Sequence, residues 1–180
     1  MKRGTRTPVK VAVALLVSGL LTLALATTYR ELTLTQMLDA AEIAFSGTVA
    51  STRVEVRDDL PWTIVAFDIE RLIAGELEDG RVELAFLGGE RTAGGTLTVS
   101  LMPRFTTGED VLVLAYADEY YSPLVGFNQG LWRGRNGQWI DETGRVLTLD
   151  PEGRLEFGEE AVSSAAEIVE ALERELEARE

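Results

Sequence analysis

Two long stretches of alternating residues constrain this chain most. Across Ile43–Val56, the residues Ile43, Phe45, Gly47 and Val49 share one face; across Thr63–Leu72, Val65, Phe67 and Ile69 oppose Asp68 and Glu70. A period of two belongs to an extended strand with one face against a core, not to a helix. Asp58-Asp59-Leu60-Pro61 between them is turn chemistry. Further strands are predicted at Arg81–Leu87, opened by Glu78-Asp79-Gly80, and at Thr96–Met102. The glycine pairs Gly88-Gly89 and Gly94-Gly95 bracket a polar loop before the latter. Val111–Tyr116 is continuously apolar, the pattern of a strand buried on both faces. Short hairpin pieces follow at Gln138–Ile140, Arg145–Leu149 and Arg154–Phe157, joined by Asp141–Gly144 and Asp150–Gly153.

Helices are expected only at the flanks. Leu34, Met37, Leu38 and Ala41 recur at helical spacing, with Thr33 placed to cap the N-terminus. Residues 159–180 carry the stripe Val162, Ala165, Ala166, Ile168, Val169, Leu172 and Leu176, with glutamates opposite. A negative C-terminal end suits the helix dipole poorly, so the last turns are expected to fray. The stripe suits packing on the strands or on a second copy. Turns every 8–12 residues and flanking helices point to a mostly β fold, a small barrel of five or six strands or a sandwich, rather than alternating βαβ units.

The N-terminus reads as an export leader. Lys2, Arg3, Arg6 and Lys10 precede an uncharged run over 11–26, which ends in the small-x-small pattern Ala24-Leu25-Ala26. Sixteen residues make about 24 Å of helix, short of a ~30 Å hydrocarbon core. Cleavage near Ala26 is therefore expected, leaving the working part outside the cytoplasm, secreted or periplasmic. An uncleaved leader would instead tether it to a membrane. The division expected is 1–26 leader, 27–158 β domain and 159–180 helix.

Charge and absent residue types exclude much. The chain has 17 Lys+Arg and 30 Asp+Glu. Four of the basic residues lie in the leader, so the remainder carries a net charge of about −17. Such a surface repels nucleic acid, and no basic cluster offsets it. Zero His and zero Cys rule out Ser-His-Asp and Cys-His sites, a His-Glu-x-x-His zinc site, a thiolate nucleophile and any disulfide. Stability must come from an ordinary core. No catalytic residue, metal ligand or cofactor is assigned. The carboxylates Asp68, Glu70, Glu109, Asp110, Asp118 and Glu119 are the candidates for a two-acid hydrolase, against a plainer reading as solvated strand and loop residues. Asp141/Glu142 and Asp150/Glu152 are read as hairpin turns in preference to loose Ca²⁺ loops.

One segment, Tyr120–Trp132, is dense in aromatics and amides. Tyr120, Tyr121, Phe127, Asn128, Gln129 and Trp132 are the candidate binding residues, because such side chains supply contact area at low entropy cost. The competing reading makes Phe127, Leu131 and Trp132 core plugs, with Gly126 and Gly130 permitting a tight turn.

The order of "AEIAFSGTV" (Ala41–Val49), "TIVAFDIERLIAGE" (Thr63–Glu76), Gly88-Gly89, "PRFTTGEDVLVLAY" (Pro103–Tyr116) and "LVGFNQGLWR" (Leu124–Arg133) resembles a family of exported bacterial proteins. That family is similar to the OB-type netrin and tissue-inhibitor-of-metalloproteinases domain. The resemblance covers about residues 34–133 and implies an OB-like barrel. It also implies an accessory or regulator of a secreted protease. Two departures stand out. No cysteine is present to chelate a protease zinc, and Ala74-Gly75 replaces the family's basic-glycine pair. The expectation is thus an exported, non-catalytic binding module for a protein or peptide. The alternatives are a carboxylate-dependent extracytoplasmic hydrolase and a passive membrane-anchored envelope component.

Overall fold

The computed structural model describes residues 30–76, 80–91, 94–118 and 120–179. The leader, 1–26, lies outside the described residues, as does Glu119. Residues Glu31–Glu180 form one compact unit.

Sequence order and sheet order diverge once. Strands β1 (Ile43–Arg57), β2 (Leu60–Ala74) and β3 (Arg81–Leu87) form an antiparallel meander. A two-strand ribbon, β4 (Gly89–Glu90) with β5 (Thr96–Leu97), interrupts it. The chain then returns as β6 (Asp110–Ala115) to pair with the other edge of β1, and β7 (Leu131–Arg135), β8 (Gln138–Asp141), β9 (Val146–Leu149) and β10 (Leu155–Gly158) add on in turn. The main sheet therefore runs β10-β9-β8-β7-β6-β1-β2-β3.

The strand β1 is central because its first half is buried on both sides while pairing with β2 and β6. Register shifts near Phe45, Gly47 and Ser51 mark bulges, and bulges bend a strand and strengthen its twist. Gly47 is required at one of them: a Cβ there would collide with the Asp68 carbonyl oxygen.

Two cores occupy opposite faces. In β6, Val111, Val113 and Ala115 enter one, and Leu112 and Leu114 the other, which explains the uninterrupted apolar run. The first core joins Phe45, Phe67, Leu84, Phe86 and Leu131. Residues of β3 and β7, which no hydrogen bond links, share this cluster, so the sheet curls around it. Phe105 closes the cluster against Phe67 and Phe86 at ring separations of 5.5 and 4.9 Å. The second core lies under the helices: Trp132, Trp139 and Leu147 pack with Met37 and Leu38 of α1 (Leu34–Ala40) and with Ile168, Leu172 and Leu176 of α2 (Ala165–Glu177). Helix α2 thus packs on the chain's own sheet.

Capping boxes start both helices. Thr33 and Gln36 reciprocate at α1, Ser164 and Glu167 at α2. The Ser164 backbone amide and hydroxyl hold the Glu167 carboxyl below its ordinary range.

Four expectations are corrected. No closed barrel exists among the described residues: β3 and β10 are the edges of the sheet, and the Leu87 N–H donates to the Tyr121 carbonyl (2.8 Å), so a loop covers the end of β3 where a closing strand would lie. The strands number eight in the main sheet rather than five or six, because the C-terminal hairpins extend it through β7. Helix α2 begins at Ala165 rather than 159, since its capping box sits at Ser164, and Val162 lies outside it, 81% exposed. The strand expected over Thr96–Met102 also shortens to Thr96–Leu97, because a turn closed by Met102 N–H to Val99 O follows.

Candidate functional site

The aromatic segment divides into two halves with different fates. Its second half is structural. Leu124, Val125, Leu131 and Trp132 are buried, and Gln129 ties the N-terminal entry to the turn: Leu32 N–H donates to its Oε1 (2.7 Å) while its Nε2 donates to the Gly126 carbonyl (3.2 Å). Buried Ser122 donates its hydroxyl to the Phe127 carbonyl. Phe127 takes a positive φ of 72° and is half-buried, as is Asn128, whose N–H donates to Gly126 O at 3.0 Å. Trp132 is fully buried and stacks on Phe157 at 6.3 Å. Of the six predicted binding residues, Phe127, Asn128, Gln129 and Trp132 build the turn and the core beneath it.

The first half faces solvent. Tyr120 is 50% and Tyr121 63% exposed. Tyr121 stacks on Trp62 at 6.1 Å, and Tyr120 packs against Tyr116 at 4.9 Å. Three of these four rings, Trp62, Tyr116 and Tyr120, line a groove of about 410 Å³ together with Ile43, Ile64 and Leu84. That volume falls within the ~300–1,000 Å³ of small ligand clefts. Four consecutive residues of β3, Val82 to Ala85, also line it. Consecutive strand residues point to opposite faces, so they can share one cavity only along the strand's edge. The groove therefore runs beside the outer edge of β3, facing the Tyr116–Pro123 segment.

Charge at the groove is of two kinds. Arg53 forks onto Glu83 of the lining (2.7 and 2.8 Å) and reaches Glu55 (3.1 Å), which Arg57, also in the lining, holds at 3.2 Å. Arg53 hydrogen bonds hold both glutamates below their ordinary range, and Glu83 in turn raises Arg53. Asp58 and Asp118, which line the groove itself, make no ion pair among the described residues.

A second concavity of about 460 Å³ opens between Gly88-Gly89 and Val99–Arg104, lined by Val54, Thr63, Phe86 and Met102. Gly88 has φ 122°, and a Cβ there would press on the Leu97 carbonyl at 3.0 Å. The double glycine thus folds the ribbon back over this mouth.

Of the candidate carboxylates among the described residues, Asp118 alone lines either concavity. Asp68 pairs with Arg81 at 2.6 Å and Glu109 with Arg133 at 2.5 Å. Glu70 and Asp110, both exposed, each accept from the Thr48 hydroxyl, at 3.5 and 3.2 Å. Asp141 and Asp150 accept main-chain hydrogen bonds within their hairpin turns, from Thr143 and Arg145 and from Glu152 and Arg154. Among the described residues no cluster of three acids could hold a metal ion.

Sequence reasoning missed Trp62, Tyr116 and the β3 edge. The signal for Trp62 was available: it is a large aromatic directly after Pro61, in an otherwise polar hairpin tip. Nothing local announced that β3 would lie at an edge. Comparison with known proteins adds no relative: the chain matches no protein-family profile, no curated protein and no solved structure.

Proposed function

We propose that this chain is an exported, non-catalytic binding module that takes a segment of another protein into the groove between the β3 edge and Tyr116–Pro123. The observation that carries this reading is the pair of exposed tyrosines, each packed on a ring that lines an open groove: Tyr121 on Trp62 and Tyr120, itself in the lining, on Tyr116. Aromatic side chains held by a neighbour lose little entropy when a partner covers them. Export rests on the basic, apolar, small-x-small order of residues 1–26. The five strands β1, β2, β3, β6 and β7 are read as a partly open relative of the OB barrel, supported by the interior core they share. In that reading the groove is the unclosed seam, and binding at the seam needs no catalytic group.

The test is affinity capture from the extracytoplasmic fraction of the native source, comparing wild type with a Tyr120→Ala/Tyr121→Ala double variant. Both side chains are at least half exposed, so the variant keeps its fold, which circular dichroism verifies. A protein retained by the wild type and lost by the variant supports the groove. Equal retention by both, or by neither, refutes it.

A further inference from the structure

The groove is bounded on one side by unpaired main chain, and that fixes the form of its occupant. Gly88 N–H donates to Pro61 O at 2.8 Å, and the β2–β3 register is unbroken from Trp62↔Leu87 to Asp68↔Arg81. In an antiparallel pair, successive residues direct their main-chain groups alternately toward and away from the partner. Val82, Leu84 and Phe86 therefore bond to β2, while Arg81, Glu83, Ala85 and Leu87 point outward. Leu87 N–H is taken by Tyr121 O. Glu83 and Ala85 present their N–H and C=O groups to the groove, and Arg81 continues the same edge beyond it, all three without a backbone partner among the described residues.

Edge strands of this kind are templates for another strand. Here the template is not blunted: β3 has no proline and no bulge. Its one outward-leaning acid, Glu83, is drawn back across the sheet by Arg53. Arg81 is likewise held, by Asp68 at 2.6–2.8 Å. Five residues from Arg81 to Ala85 offer about 17 Å of edge at roughly 3.4 Å each.

Resting on the binding reading above, we infer that the partner segment adds to β3 as an extra antiparallel or parallel strand, and that it carries Lys or Arg. Charge complementarity selects the occupant: the lining holds three acids, Asp58, Glu83 and Asp118, against one cation, Arg57. Whereas Glu83 and Arg57 are held by Arg53 and Glu55, Asp58 and Asp118 have no ion-pair partner among the described residues, on a chain with 30 acids against 17 basic residues. A second copy of this chain would bring the same acids to face themselves, a like-charge contact that opposes pairing. An added strand presents alternate side chains to the two sides. One set lies on the face of Trp62 and Ile64, the other on the face of Val82 and Leu84, and Asp58 and Asp118 line the same groove.

The experiment titrates the purified full-length protein with synthetic peptides of about eight residues, enough to span the edge at about 3.4 Å per residue. One peptide alternates Val and Arg, a second alternates Val and Glu, and a third is the Val/Arg peptide N-methylated at alternate amides. Anisotropy reads affinity, and hydrogen exchange reads the Glu83 and Ala85 amides. The Val/Arg peptide is expected to bind and slow exchange at those two amides. N-methylation and the Val/Glu sequence are each expected to weaken binding about tenfold or more. Ala85→Pro removes one outward N–H without touching the β2 ladder and is expected to match the N-methyl effect; the methylated peptide delivers the same test should that variant fold poorly. Absence of Val/Arg binding overturns the inference. So does binding insensitive to N-methylation, or edge protection that grows with protein concentration alone, which would make a second copy the occupant. If the tyrosine double variant loses its captured partner while Ala85→Pro keeps it, the groove stands and strand addition falls.

Discussion

The two inner tryptophans offer an internally controlled measurement. Trp132 is fully buried, and its Nε1 has no hydrogen-bond partner among the described residues; Trp139 is 7% exposed, and its Nε1 donates to the Ala165 carbonyl at 3.0 Å. Both belong to the core beneath the helices. Replacing either by Phe removes the same atoms, about 2 kcal/mol of packing at ~0.8 kcal/mol per methylene equivalent. The polar consequences have opposite sign. In Trp132→Phe an unpaired buried N–H disappears, returning about 1–3 kcal/mol of desolvation cost. In Trp139→Phe a made hydrogen bond is lost, a further ~0.5–1.5 kcal/mol. Trp132→Phe should therefore be close to neutral, and Trp139→Phe should be the more destabilising by on the order of 2–3 kcal/mol. For a unit of this size that separates the two melting temperatures by roughly 4–12 °C. Urea and thermal unfolding followed by far-ultraviolet circular dichroism give the free energies and the melting temperatures. Equal destabilisation by the two substitutions would refute the reasoning, because it would require Trp132 Nε1 to be satisfied in solution.

Two further outcomes follow from the same geometry. Gly130→Ala places a Cβ against the Leu114 carbonyl oxygen, with the Leu114 and Val125 Cβ atoms both at 3.2 Å; overpacking of backbone on backbone should cost about 1–3 kcal/mol, and an unchanged urea midpoint would show that the turn can shift. Acid should weaken the fold through its turns. At Asp141 burial pushes the carboxyl up, but the Thr143 and Arg145 hydrogen bonds outweigh it, and at Asp150 the Arg154 amide leads; both carboxyls are held below their ordinary range. A depressed folded-state value contributes stability that is fully present above the unfolded value, near pH 3.9 for aspartate, and is lost as pH falls through the folded value. Unfolding measured from pH 6 down should therefore show a stability loss steepening below about pH 4; Asp141→Asn should flatten it, and an identical acid limb in that variant would count against the assignment.

Local periodicity and turn chemistry determined the elements of this protein. The alternation in Ile43–Val49 and Thr63–Leu72, the apolar run in β6 and the Thr33 cap each depend on side chains near one another in sequence, so the sequence alone carries them. The Ser164/Glu167 capping box was equally local, but the apolar stripe drew the helix start forward to 159. Closure was not local. Whether β3 meets a strand or a loop depends on where the chain goes more than thirty residues later, and the Tyr121 carbonyl at the Leu87 amide decides it. The same holds for the candidate site. Composition marked Tyr120–Trp132 as unusual, but only packing divides it, because a tyrosine on Trp62 and a tryptophan under α2 read alike as aromatic residues. The open edge of β3 is invisible in sequence for a plain reason: hydrogen-bonding main chain is the same at every residue, and only the sheet order leaves some of it without a neighbour.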